Sequence, residues 1–288
     1  MAGKTIPILG VFQAPPLIWN MINYLTLLLE KNADSQSLMT ECFRALNLQH
    51  MLEIDQKLID EAILDMLKNL FALQPSSAVI LEMCISVLDF KLSKKPDSMV
   101  IHFWLFTTRA VSADNASIGN LKFLFQKYAG YGDIKKDYMV IDFLKIVQEY
   151  VMLNFFSSQD DFKGLISYIH SKFLQEVQVE QQWLAKRAVD ASGGAADEDS
   201  GDETFDSNIY EKKLNLVTIA HLLVQKAQGD SQEVQGFVLV SLTEFLQSLC
   251  GHFVEYKTQK NVPSSTEYYT QAMTFINRAI VLNRDYFL

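Results

Sequence analysis

The chain has 288 residues, 49% hydrophobic and 11% aromatic, enough to bury a core as one elongated domain or two smaller ones, and too apolar for a disordered protein. Its formal net charge is −9. Residues 190–206 carry seven acids and no base, so the rest of the chain is left at only −2. A nearly neutral body lacks the clustered Lys and Arg that phosphate contacts demand, which makes nucleic acid the less favoured partner.

In chain order, the segment TIPILGVFQAPPLIW comes first. Gln13 and the Pro15–Pro16 pair break any signal-peptide core there. Gly3-Lys4-Thr5 matches the tail of a phosphate-binding loop, but the loop's first glycine and its preceding strand are missing. No GxGxxG, HExxH or GxSxG occurs. No run of about 18 apolar residues is present, so no membrane span is expected. These features point to the cytoplasm or nucleus.

Apolar residues then recur at helical spacing and predict about eleven helices: 16–31, 35–48, 55–73, 77–92, 97–112, 115–129, 136–156, 159–187, 207–228, 231–257 and 265–283. Leu58, Ile59, Ala62, Ile63, Met66, Leu67, Leu70 and Phe71 form one stripe. Phe162, Leu165, Ile166, Ile169, Phe173, Val177 and Leu184 form another. The helix at 138–156 is apolar on nearly every face, which predicts a central helix packed on several sides. Its Asp142, Lys145 and Glu149 share one polar face.

Punctuation agrees with these bounds. Pro75, Pro96 and Pro263 fall between helices, where a missing amide costs little. Ser158 followed by Asp161 marks a helix start. Asp230 with Glu233, and Ser264 with Glu267, have capping-box spacing. Gly130 and Gly132 end the helix before them. Short connections predict antiparallel hairpins.

The expected fold is therefore all-α: stacked antiparallel hairpins, solenoid-like, on the scale of HEAT, armadillo and tetratricopeptide arrays. In the last helix, Ala272, Ile276 and Ala279 resemble the small–large–small spacing of a tetratricopeptide second helix. Arg284 stands where that family usually has proline, and no upstream copy is visible. The resemblance supports hairpin packing and carries over no functional residue. The expected organisation is an N-terminal helical array over 1–189, an acidic flexible linker at 190–206, and C-terminal helices over 207–288 packing on the same array.

Candidate chemistry is sparse. Cys42, Cys84 and Cys250 form no CxxC and sit in apolar helical patterns, so buried thiols in a reducing compartment are expected. His50, His102, His170, His221 and His252 are never within four residues of one another, so no helix offers a local metal pair. His170 and His221 can meet only through tertiary packing. Asn115-Ala-Ser117 matches a glycosylation acceptor, which means little without a secretory signal. The acids at 197–203 miss the spacing of a calcium loop. No catalytic, cofactor-binding or metal residue is assigned, and no cofactor is expected.

Two positions stand out. Ser200, flanked by Asp197, Glu198, Asp199, Asp202 and Glu203, suits an acid-directed kinase of the casein kinase 2 type. Trp183 lies near the end of a long helix whose apolar neighbours thin out, and is a candidate partner anchor. The expected function is a non-enzymatic scaffold or adaptor subunit that binds other proteins through an elongated helical surface. A nucleic-acid-associated helical protein is the alternative, followed by an enzyme or carrier whose site is assembled from distant helices.

Overall fold

The computed structural model describes residues 57–94, 96–111, 115–128, 137–156, 158–192, 208–257 and 266–287, together with Leu27. Among these residues the protein is all-helical, with no strand. The helices are α1 (Lys57–Leu73), α2 (Ala78–Ser93), α3 (Ser98–Ala110), α4 (Ile118–Tyr128), α5 (Asp137–Met152), α6 (Gln159–Ser192), α7 (Asn208–Ala227), α8 (Gln232–Lys257) and α9 (Thr266–Phe287). Each lies close to its expected span. Apart from Leu27, the expected helices at 16–31 and 35–48 fall outside the described residues, as do Gly130, Gly132, Pro263 and Ser264.

Local chemistry explains the ends. Ser77 caps α2 by accepting from the Ile80 amide at 3.4 Å, and Asp97 caps α3 by accepting from the Val100 amide at 2.9 Å. Ser158 accepts from the Asp161 amide at 3.1 Å, as the sequence predicts for the start of α6. Helix α8 begins after Ser231, one residue beyond the expected Asp230 start. Helix α4 begins three residues late because Asn115 folds an Asx turn, its Oδ1 accepting from the Ser117 amide at 3.0 Å. Asn115 is buried and its Nδ2 donates to the Pro75 carbonyl, so the glycosylation pattern is used for packing.

The end of α5 shows why its sequence stops a helix. The Phe155 amide donates to the Tyr150 carbonyl, and the Asn154 amide to the Val151 carbonyl. Asn154 sits at φ 61°, the left-handed conformation this Schellman motif requires. The accompanying apolar contact is the Tyr150–Phe155 ring pair, with centroids 4.9 Å apart.

The chain divides into two compact units, Met1–Asp142 and Phe143–Leu288. The division falls inside α5. The helices on either side of segment 190–206 belong to the same unit and pack together.

In the first unit α1, α2 and α3 pack on one another and α4 packs on α2. Their core holds Leu67, Phe71, Leu81, Leu88, Phe103, Trp104 and Leu121. Of the expected α1 stripe, Ile63, Met66, Leu67, Leu70 and Phe71 are buried, while the side chains of Leu58, Ile59 and Ala62 lie outside the description. At the α2–α4 contact the Tyr128 hydroxyl donates to Asp89 Oδ1 at 2.6 Å and Lys127 Nζ donates to the same oxygen at 2.7 Å. Cys84 is buried, and burial pushes its thiol well above the ordinary range, as expected for an inert core cysteine.

In the second unit α6 packs on α7 and α8, and α7 and α8 each pack on α9. Rings join the layers: Phe173 to Phe245 at 5.3 Å and Phe245 to Phe275 at 5.9 Å. Phe143, Leu144, Ile146, Val147, Tyr150 and Val151 of α5 are all buried, matching the expected packing on several sides. Its polar face is engaged too, with Asp142 2.7 Å from His102 and Lys145 3.1 Å from Glu211. Of the α6 stripe, Phe162, Leu165, Ile166, Ile169 and Phe173 are buried, whereas Val177 and Leu184 are half-buried.

One expectation needs correction. Cys250 is exposed. Helix α8 is apolar on more than one face, so its sequence does not mark the buried side, and Leu249 takes the core position instead. Over Gln232–Phe253, α8 is also long and apolar enough to cross a membrane by length and composition. Its buried Val238, Leu242, Phe245, Leu249 and His252 recur at the three-and-four spacing of a helix packed among others.

Candidate functional site

Three polar residues occupy positions where the apolar stripes predict core side chains. Glu180 follows Phe173 by seven residues on α6. Lys213 lies between Ile209 and Val217 on α7, and His252 follows Leu249 by three on α8. The helices alternate in direction, so the C-terminal parts of α6 and α8 meet the N-terminal parts of α7 and α9. There Lys213 Nζ donates to Glu180 Oε2 at 2.7 Å, and His252 Nε2 lies 2.7 Å from the same oxygen. All three are buried, Lys213 completely. Lys213 Nζ also sits over the rings of Tyr210 and Tyr268, 4.6 and 5.1 Å from their centroids. One turn away, Lys212 Nζ lies 3.5 Å from Glu176 Oε2, forming a second pair between α6 and α7.

The electrostatics follow from this geometry. Burial alone would raise the Glu180 pKa, but the His252 hydrogen bond and the Lys213 charge outweigh it and hold the carboxyl at about 2. Burial draws Lys213 below the ordinary lysine value, while Glu180 and Glu176 oppose that shift. Burial pushes the Tyr268 hydroxyl far up. Glu180 Oε1 is buried without a protein hydrogen-bond partner. The cluster ties three helices together through one buried carboxylate.

An open cleft lies at the other end of the same helices. A cleft of about 560 Å³ is bounded by the end of α5, the start of α6, the end of α7 and the start of α8. Its floor is apolar, with Val151, Phe162, Leu223, Val234, Phe237 and Val238. Its rim carries Ser158, Gln159, Asp230, Glu233 and Lys226. Lys226 is already committed, donating to the Met152 carbonyl at 2.8 Å and to Asn154 Oδ1. Burial lowers its pKa, with Asp230 opposing. The rim therefore offers carboxylates outward and holds its cation inward.

The predicted candidates are placed as follows. Trp183 is half-buried on α6 and lies outside both the cluster and the cleft lining. Ser200, His50 and Cys42 fall outside the described residues. His170 and His221 do not pair: His170 Nε2 lies 2.9 Å from Ser248 Oγ, and His221 Nδ1 lies 2.9 Å from Gln271 Nε2. Burial and the Arg278 charge pull His221 below the usual histidine value. Among the described residues no three His, Cys, Asp or Glu side chains come together as a metal site.

Sequence reasoning missed Glu180 and Lys213, and read His252 only as one of five isolated histidines. The available signal was an interruption: a charged or imidazole side chain at a core position of three helices, with opposite charges to be matched. Comparison of the chain with protein-family models, curated proteins and solved structures finds no match.

Proposed function

We propose that this chain is a non-enzymatic helical scaffold or adaptor subunit that binds partner proteins inside the cell. The observation that carries the reading is the apolar cleft at the α5–α6 and α7–α8 turns, sized for two or three large side chains and rimmed by carboxylates. The partner it fits presents an apolar anchor flanked by Lys or Arg. Solenoid-like stacking of hairpins belongs to the same reading. It is supported by the neighbour pattern inside each unit: α1 packs on α2 and α3 and α2 on α3 and α4, while α6 packs on α7 and α8 and α7 on α8 and α9. The exposed free thiol of Cys250 fits the cytoplasm or nucleus, where thiols stay reduced. Trp183 is a second candidate anchor, and phosphorylation of Ser200 would add charge to an already acidic segment.

The test is a quantitative comparison of proteins retained from native cells by the wild-type chain and by Val234→Asp. Val234 is 40% exposed, so the charge is tolerated by the fold. Proteins held by the wild type should fall at least about tenfold with the variant, as expected when an anchor pocket is charged. An unchanged set would remove the cleft from the proposal. A carrier of a small apolar molecule is the second reading, because the same floor of Phe and Val side chains suits such a ligand. Native mass spectrometry of the purified chain separates the two readings: a co-purifying organic molecule lost in Val234→Asp favours the carrier.

A further inference from the structure

Helices α8 and α9 expose a face with almost no charge. From Val240 to Gly251 the outward positions of α8 are Val240, Thr243, Glu244, Gln247, Cys250 and Gly251, with Glu233 exposed two turns before them. From Thr270 to Val281 those of α9 are Thr270, Met273, Thr274, Asn277, Ile280 and Val281, with Glu267 exposed one turn before them. Twelve outward positions thus include a single ionisable carboxylate, Glu244, and that one lies 3.8 Å from His170 at the α6 edge. Val240 is 76% exposed, Ile280 60% and Met273 50%. Surface helices ordinarily turn their charged residues to water, so an apolar strip this poor in charge marks a contact.

The two helices are antiparallel neighbours. Phe245 meets Phe275 and His252 meets Tyr268 across the seam, which sets Val240 level with Ile280. In the seam between them the half-buried side chains are Leu246, Phe253, Tyr269 and Ile276. The α6 and α7 sides of the pair are identified by His170 against Ser248 and by His221 against Gln271. Ile280 and Met273 sit on the opposite side of α9 from Gln271, so this seam faces away from α7.

We infer that this α8–α9 face is where a second copy of the chain docks. Charge favours this occupant. Outside residues 190–206 each chain carries only −2, so two copies can approach through surfaces that add little like charge. A twofold contact must also be complementary to itself, and a strip whose one carboxylate lies against His170 of its own chain meets that condition with little pairing of like charges. A basic partner would instead be drawn to the acidic segment or the cleft rim.

The area sets the strength. From Val240 to Gly251 the strip runs about 17 Å along the helices, and two helices span about 20 Å. With side-chain relief that is roughly 500 Å² per copy, so a face-to-face pair buries about 1,000 Å², the lower limit for a specific interface. The dimer is a weak one that forms on concentration. It does not depend on the adaptor reading, because Val234 tests the cleft and Val240 tests this face.

Sedimentation velocity of the full-length chain over about a hundredfold range of concentration tests the inference. The wild type should move from monomer to dimer mass. Val240→Asp and Ile280→Asp should each raise the dissociation constant about tenfold or more while helicity and thermal midpoint stay near wild type. Gly251→Arg is the control for folding. A Cβ there meets no atom within 4 Å, so the fold accepts the side chain and only the docked copy is displaced. A wild type that stays monomeric throughout, or a dimer unaffected by all three variants, overturns the proposal. Flotation of the wild-type chain with phosphatidylcholine vesicles, lost in Val240→Asp and without self-association, would assign the face to a lipid surface and overturn it equally.

Discussion

Glu180 shows how one side chain links pH to stability. Its carboxyl stays ionised down to about 2, against an ordinary value of 4.5. The Glu180 carboxylate's contribution is therefore full above about pH 4.5 and is lost as pH falls toward 2. Lys213→Met leaves that carboxylate buried with the His252 ring nitrogen as its remaining partner at hydrogen-bond distance. It should cost about 3–5 kcal/mol, because breaking a buried pair is worse than never having built it. It should also move the acid limb of the stability profile to higher pH, since the Lys213 charge no longer holds Glu180 down. Glu180→Met combined with Lys213→Met should recover most of the loss. Urea unfolding at neutral and acid pH checks all three outcomes, and a Lys213→Met chain as stable as wild type would contradict the buried pair. These residues were legible individually, as polar breaks in apolar stripes. Their meeting was not, because Glu180 and Lys213 are 33 positions apart and Glu180 and His252 are 72 apart.

Among the elements, α5 is the sharpest case of a sequence that dictates its own burial. Its apolar residues cover most of the helix circumference, and no arrangement on a surface could satisfy them. Phe143 and Leu144 are 2% and 1% exposed. Phe143→Asp or Leu144→Asp should each abolish cooperative folding, because an unpaired buried carboxylate costs several kcal/mol. Loss of the cooperative melt in circular dichroism is the expected readout, and a fully helical, soluble variant would show that this face is not core. Helix α8 is the contrasting element. Its apolar residues also cover more than one face, yet only one of those faces is buried. Periodicity reports how many faces are oily, not which neighbour covers each. That is why Cys250, expected inside, lies outside.

At the scale of the whole molecule, the acidic segment and the compact units are separate features. The units divide between Asp142 and Phe143, while residues 190–206 join two helices of one unit. The segment's chemistry argues that its sequence contributes little to stability, since Gly, Ala, Ser and acids bury almost nothing. Replacing residues 193–206 with a neutral Gly/Ser segment of equal length should change unfolding free energy by less than about 1 kcal/mol. Chemical denaturation checks it, and a large loss would show that the acids make contacts the fold needs.

Helix positions, their caps at Ser77, Asp97 and Ser158, and the absence of any strand among the described residues were decided by sequence alone, because they rest on interactions within about four residues. The Glu180–Lys213–His252 cluster, the cleft around Phe162 and Phe237, and the outward turn of Val240, Cys250 and Ile280 were decided by tertiary packing. The reason is physical: local spacing sets which side chains share a helix face, but only the docking of one helix on another chooses which of those faces loses its water.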